Sequence, residues 1–366
     1  MSQEVYRQLL EVMKKRGGFY SGMDIPEFYE MVEELFTPEE AEVNNAMPGG
    51  FFTAKDMAKQ MGRDEAEIEE ILEVMANKGT CLALNRDGTQ FYQSSMFMVG
   101  ILEYQFMTGK TTDRDKKIAR LIAAYEKAYE EKADANEVWE KMTFPITRVI
   151  TVDATVEPSN QVQTYDQVQT YIDKYDPISV SSCYCRHAAA LRGEDTHGMP
   201  IDTCLQFGMG AKFAIERLGA RKLTKKEARE VLDRAEEAGL IHTIANRQDM
   251  SGSLDFICSC DRWHCVVVSA ALAQPKPGLF FNSGFEPHFD PELCVACGRC
   301  IERCPPEALT LGKDDVPEVD LDRCFGCAVC ATGCPAKAIT MVNKPGFPDP
   351  PKDENGLLEA IKTSCA

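Results

Sequence analysis

Fourteen of the sixteen cysteines in this chain of 366 residues fall into four groups, and their spacing is the first feature that could do chemistry. Cys294, Cys297, Cys300 and Cys304-Pro305 follow C-x2-C-x2-C-x3-C-P, and Cys324, Cys327, Cys330 and Cys334-Pro335 repeat it. A third group holds Cys183, Cys185 and Cys204, and a fourth holds Cys258, Cys260 and Cys265 in the stretch CSCDRWHC. Cys81 and Cys365 stand alone. Thiolates are soft ligands for zinc and iron–sulfur centres. Three of them at steps of three wrap a tight loop around three corners of a cube, and the fourth corner needs a ligand from elsewhere. A proline after the last cysteine turns the chain away and removes a backbone donor. Small residues at 296, 298, 326 and 328 let main-chain N–H groups approach the sulfides and tune them. Zinc also takes four cysteines, but two complete runs of this form point to iron–sulfur clusters.

Residues 285–343 resemble bacterial dicluster ferredoxins over their whole length, because the two runs have that family's spacing. The resemblance implies a small pseudo-twofold fold, two [4Fe–4S] clusters and one-electron transfer at low potential. It also implies crossed ligation, in which the fourth cysteine of each run serves the other cluster. One cluster is then expected on Cys294, Cys297, Cys300 and Cys334, and the other on Cys324, Cys327, Cys330 and Cys304. The segments PPEALTL and PAKAITM, which follow the two runs, match as an internal repeat of about 30 residues.

The six middle cysteines sit in the frames SSCYCRHAAALRGEDTHGMPIDTCLQFG and ICSCDRWHC. Together with TRVITV and the helix-forming LTKKEAREVLDRAEEAGLIH, they resemble iron–sulfur proteins of anaerobic bacteria and archaea over roughly residues 145–343. In those proteins a cysteine-rich middle domain precedes a dicluster ferredoxin module, and the likeness implies electron transfer more than a reaction. The turn departs from that family: Asp261 to His264 stand where it often carries further cysteines. The six cysteines are expected to hold a third iron–sulfur cluster, with structural zinc as the alternative. Arg186 could offset anionic thiolates. His187, His242 and His264 are further possible donors, although the usual roles of such histidines are hydrogen bonding and packing. Trp263 reads as core or shielding.

The elements that must position these residues follow from periodicity and caps, and the fold class they give is α+β. Residues 1–110 read helix, turn, helix, hairpin, the order of a winged-helix-like interaction domain. Thr53 caps AKDMAKQM, Asp64 caps the next helix, and CLALN, RDG and QFYQ form the hairpin. A charged helical linker is expected over 111–144, then the α/β cysteine-rich middle domain over 145–284. The ferredoxin-like domain takes 285–343, and a proline-rich C-terminal tail takes 344–366. In the middle domain, Thr224 with Glu227 forms a capping box, and Gly239 ends that helix.

A net charge of −18 disfavours nucleic acid, whose phosphates need Lys and Arg. The helix that would read DNA carries Asp64, Glu65, Glu67, Glu69, Glu70 and Glu73. The expected partners are therefore redox proteins steered by charge, not nucleic acid, with a homo-oligomer or a heteromeric complex both open. The longest apolar run, CVVVSAALA, is too short to insert in a membrane. The N-terminus lacks a secretory h-region, and so many thiols suit the reducing cytoplasm. The chain carries no dinucleotide fingerprint, P-loop or radical-type C-x3-C-x2-C. The favoured reading is an electron-transfer protein or subunit serving a partner oxidoreductase in anaerobic metabolism. The alternatives are an iron–sulfur oxidoreductase with an active-site cluster at the middle cysteines and a redox-sensing winged-helix regulator.

Overall fold

The computed structural model describes residues 2–18, 20–98, 100–132, 145–152, 155–156, 168–248 and 255–364. The chain folds into two compact units that do not follow the linear division above. Unit 1 comprises Met1–Ala135, Ser181–Thr196 and Ala211–Arg221; unit 2 comprises Asn136–Val180, His197–Gly210 and Lys222–Ala366.

Unit 1 begins with α1 (Ser2–Arg16), α2 (Pro26–Leu35), α3 (Pro38–Ala46), β1 (Phe51–Phe52), α4 (Ala54–Met61) and α5 (Glu65–Asn77). The hairpin β2 (Cys81–Arg86) and β3 (Thr89–Ser94) follows, then α6 (Ile101–Met107) and α7 (Asp113–Lys132). The local signals hold. Thr53 and Asp56 form a capping box on α4, and the Asp64 side chain accepts from the Ala66 and Glu67 N–H groups. In the hairpin, Arg86 pairs with Thr89, so Asp87-Gly88 forms a two-residue turn with positive φ at both positions. The small sheet has the order β1-β3-β2.

The segment expected to be a linker is a core helix as far as Lys132. Helix α7 packs on α2 and buries Ile118, Ala119, Ile122 and Tyr125. Arg114 and Lys117 flank that interface, where both reach Glu34 of α2. Residues 133–144 of that expected linker, and Cys365, lie outside the described residues.

The rest of the chain adds β4 (Thr147–Val149), α8 (Val168–Lys174), β5 (Ile178–Ser181), α9 (Tyr184–Arg192), β6 (Cys204–Phe207), α10 (Gly208–Arg217) and β7 (Arg221–Leu223). Then come α11 (Lys225–Glu237), β8 (Ile241–Ala245), β9 (Phe256–Cys260) and α12 (Val266–Leu272). Within TRVITV, Thr147–Val149 form β4. The main sheet of unit 2 has the order β4-β8-β9-β6-β5-β7. One face buries Ile150, Ile178, Leu205, Ile244 and Ile257 against Tyr171 and Ile172 of α8 and Val231 and Leu232 of α11. The other carries Val149, Ile241 and Cys260 against Val268 and Ala271 of α12, Phe281, Phe325 and Cys327. The neighbours Val149 and Ile150 thus serve opposite faces, as strand alternation requires.

The C-terminal part holds β10 (Phe285–Phe289), β11 (Leu309–Leu311), β12 (Pro317–Val319), β13 (Ile339–Asn343) and α13 (Glu354–Ser364). β10 pairs antiparallel with β13, and β11 with β12. Short helical turns, Arg299–Glu302 and Val329–Thr332, carry the third cysteine of each run, Cys300 and Cys330. Mixed helix and sheet make this an α+β protein. Among the described residues no helix is long and apolar enough to cross a membrane.

Candidate metal centres

The two ferredoxin-type runs repeat each other down to single hydrogen bonds. The Cys294 N–H donates to Asp290 O, and the Cys324 N–H to Asp320 O. The Ala308 N–H points at Cys304 Sγ (3.3 Å), and the Ala338 N–H at Cys334 Sγ (3.4 Å). Glu307 and Lys337, three residues after those cysteines, both take φ of 52°. The backbone therefore aims N–H groups at sulfur in the same way twice, the interaction that favours thiolate and tunes a bound cluster.

One opening, of about 410 Å³ counting the space that runs out into solvent, is lined by Cys294, Cys297, Cys300 and Cys334. A second, of about 300 Å³, is lined by Cys304, Cys324, Cys327 and Cys330. Each opening thus gathers three thiols of one run and the last thiol of the other. Among the described residues no three His, Cys, Asp or Glu side chains close on a single ion. A quartet standing around a space instead of a point has the donor chemistry of a four-iron cube with a sulfur at each outer corner. The residues present fit such a group.

The two openings differ in burial. Cys297 is exposed, and Val295 and Leu311, which line the first opening, are 65% and 54% exposed. At the second, Phe325 is fully buried, as are the side chains around Cys327 and Cys330. Burial pushes the Cys324 thiol up to about 11 and the Cys327 and Cys330 thiols further up. A metal must displace those protons to bind. The sequence reading missed what covers the second run. Asn282 Nδ2 donates to Cys324 O, Ser283 Oγ donates to Gly326 O, and the Gly278 backbone packs on Cys324. Arg303, beside Cys304, donates to the carbonyls of Glu236 and Glu237 at the end of α11 and to Val329 O. It thereby satisfies helix-end acceptors while fixing the loop of a candidate ligand.

The six middle cysteines divide between the units. Cys183 is the N-cap of α9 in unit 1, and Cys185 lies in that helix's first turn. In the same unit, His187 Nδ1 donates to Phe106 O at 2.8 Å, and Tyr184 Oη donates to Glu126 Oε1 at 2.7 Å. Burial holds the Glu126 carboxyl at about 7.

Cys204, Cys258, Cys260 and Cys265 belong to unit 2. Cys258 and Cys260 are on β9, the turn Asp261–His264 follows, and Cys265 is the N-cap of α12. β6 pairs with β9 as Leu205↔Ile257 and Gln206↔Phe256. One step further along that register, Cys204 faces Cys258. Cys260 is hydrogen-bonded to both Cys258 and Cys265, and these contacts with burial push its thiol well up. Thr243 Oγ1 lies 3.6 Å from Cys260 Sγ. The turn is held by Asp261, whose carboxylate accepts from the Trp263 and His264 N–H groups and lies 3.1 Å from His264 Nδ1. Trp263 is half exposed and stacks on His197 with centroids 4.3 Å apart. His242 pairs with Ser259 on the sheet face opposite Cys258 and Cys260.

Comparison with known proteins bears on the C-terminal part. No curated protein and no solved structure matches the chain. Residues 288–341 match the family model of the 4Fe-4S dicluster domain, so this segment is a ferredoxin-type module that binds [4Fe–4S] clusters and serves iron–sulfur electron transfer.

Proposed function

We propose that the protein is an electron-transfer component with two [4Fe–4S] clusters, which exchanges low-potential electrons with a partner oxidoreductase. The single observation that carries this is the pair of thiol quartets, each lining one opening with cysteines from both runs. Cys294, Cys297, Cys300 and Cys334 would hold one cluster; Cys324, Cys327, Cys330 and Cys304 would hold the other. Each bound cluster supplies a one-electron couple. The chain's own residues do the rest. The N–H groups of Ala308 and Ala338 stabilise thiolate charge, Phe325 and Phe281 exclude water from the second quartet, and the exposed rim of Val295 and Leu311 leaves the first open to a partner. The acidic surface supports docking to a basic patch.

A third metal centre is proposed at the middle cysteines. Its support in unit 2 is the linkage of Cys258, Cys260 and Cys265, with Cys204 in register opposite Cys258. Unit 1 has the helix and hairpin order of a winged-helix-like module, and Glu65, Glu67, Glu69 and Glu70 of α5 are exposed. That surface favours a protein partner over DNA. Anaerobic iron and acid-labile sulfide analysis, with EPR of the reduced protein, tests the whole reading. About eight irons correspond to the two quartets alone and about twelve to a third cluster. Zinc near one equivalent would assign the middle cysteines a structural role. A folded, anaerobically reconstituted chain that retains neither iron nor sulfide sinks the proposal.

A further inference from the structure

The stretch CSCDRWHC packs against the second quartet within unit 2. Cys260 and Cys265, at the two ends of its turn, share one buried apolar cluster with Cys327, Phe325 and Phe281. Between them, Arg262 Nη2 donates to Glu307 Oε1 at 2.7 Å. The Glu307 N–H in turn donates to Cys304 O at 3.1 Å. At the repeat position of Glu307 the other run carries Lys337, which cannot recruit an arginine.

We propose that Arg262 is a tuning residue for the second quartet: it raises the reduction potential of the cluster on Cys324, Cys327, Cys330 and Cys304 and leaves the first alone. The inference rests on the electron-transfer reading above. Reduction adds one negative charge to a thiolate cage that is already anionic. A fixed cation ion-paired to the loop that follows one ligand, Cys304, stabilises the reduced form, and charge and solvent exposure are known levers on such potentials. Glu307 opposes part of this effect, but its side chain is 63% exposed, so water screens it more than it screens Arg262 at 29%. The turn that joins Cys260 to Cys265 thereby sets the redox poise of the ferredoxin module.

The test is an EPR-monitored redox titration of the full-length, iron-loaded protein and of Arg262→Gln, Arg262→Lys and Glu307→Gln. In Arg262→Gln one of the two potentials falls by about tenfold in its reduction equilibrium, which is 59 mV for one electron. The potential that moves is the one that Cys327→Ser also alters. Arg262→Lys keeps most of the parent value, and Glu307→Gln moves the same potential upward by less. The inference is overturned if neither potential moves, if both move together, or if Glu307→Gln shifts in the direction of Arg262→Gln. A parent protein with no cluster signal sinks the electron-transfer reading and Arg262's role with it. A parent with two potentials and unmoved variants sinks the Arg262 inference alone.

Discussion

Gly298 and Gly326 make an internal controlled experiment. Both lie in a ferredoxin-type loop with left-handed backbone, at φ of 70° and 66°. That conformation costs a residue with a Cβ about 1–2 kcal/mol. The chain already tolerates this cost, since Ala296 and Ala328 occupy the matching positions of the opposite repeats at φ of 52° and 64°. The surroundings separate the two glycines. A Cβ on Gly298 meets nothing within 4 Å. On Gly326 it meets Phe285 O at 2.2 Å and Ser283 Oγ at 2.4 Å. One of those atoms is backbone in β10, and the other already donates to Gly326 O and accepts from the Phe285 N–H.

Gly298→Ala should therefore cost only the backbone term, about 1–2 kcal/mol. Gly326→Ala adds about 1–3 kcal/mol of overpacking and about 1 kcal/mol for each Ser283 hydrogen bond it disrupts. A total of about 3–7 kcal/mol is a large share of the stability of an ordinary domain. The readouts are urea unfolding followed by circular dichroism and iron per chain after anaerobic reconstitution. Gly298→Ala should keep its full iron complement with a small shift in midpoint. Gly326→Ala should lose about half the iron, that of the second quartet. Equal destabilisation by the two variants, or full iron in Gly326→Ala, would refute the steric reasoning.

Three further outcomes are expected. Crossed ligation requires that Cys334→Ala remove the same EPR species as Cys294→Ala, and Cys304→Ala the same species as Cys324→Ala; pairing within one run would exchange these results. In unit 1 the Glu126 carboxyl titrates at about 7, well above the ordinary carboxylate value of 4.5. A raised acid pKa means that the folded state holds the proton more tightly, so stability present below about pH 4.5 is lost as pH rises through about 7. The full effect is about 3 kcal/mol for a group this buried. Glu126→Gln should flatten that slope in urea titrations between pH 5 and 8, and an unchanged slope would assign it to other groups. At the middle site, Cys258→Ala, Cys260→Ala and Cys265→Ala should be unequal in metal content. Cys260→Ala should have the largest effect because it links the other two, and all three should leave the ferredoxin pair intact.

What the sequence made legible was local. The cap at Thr53 and the hairpin depend on residues a few positions apart and stand as expected, although Arg86 joins the strand instead of the turn; the duplicated cysteine runs are equally local, and their segment matches the dicluster family model. What it hid depends on contacts between distant segments. Cys204 and Cys258 come opposite each other only through the register of β6 on β9. Cys260 and Cys327 share a core because α12 and the second run cover the same sheet face. Helix α7 looked like a charged spacer because lysines and glutamates outnumber its buried stripe of Ile118, Ile122 and Tyr125. The contribution of residues 181–196 and 211–221 to unit 1 has no signature in composition.

The repeat also shows how one motif can yield two unlike sites. Its loops have matching hydrogen bonds and matching dihedral angles, so the difference between the openings cannot come from the cysteine runs alone. It comes from residues 278–285, which lie over the second run: Gly278 against Cys324, Asn282 on its carbonyl, and Ser283 and Phe285 against Gly326. The pattern carries a trace of this. Where the first run has Val295, 65% exposed, the second has Phe325, fully buried against Phe281. Where the first has Ala296, the second has glycine because a carbonyl oxygen occupies the place of its Cβ. In a duplicated module, a position that changes from alanine to glycine at the same φ records a neighbour, and here that neighbour buries one quartet while the other stays open. An exposed and a buried quartet give the module an outer face open to solvent and an inner one in contact with the middle cysteine turn. Arg262 and Cys265 stand at that inner face.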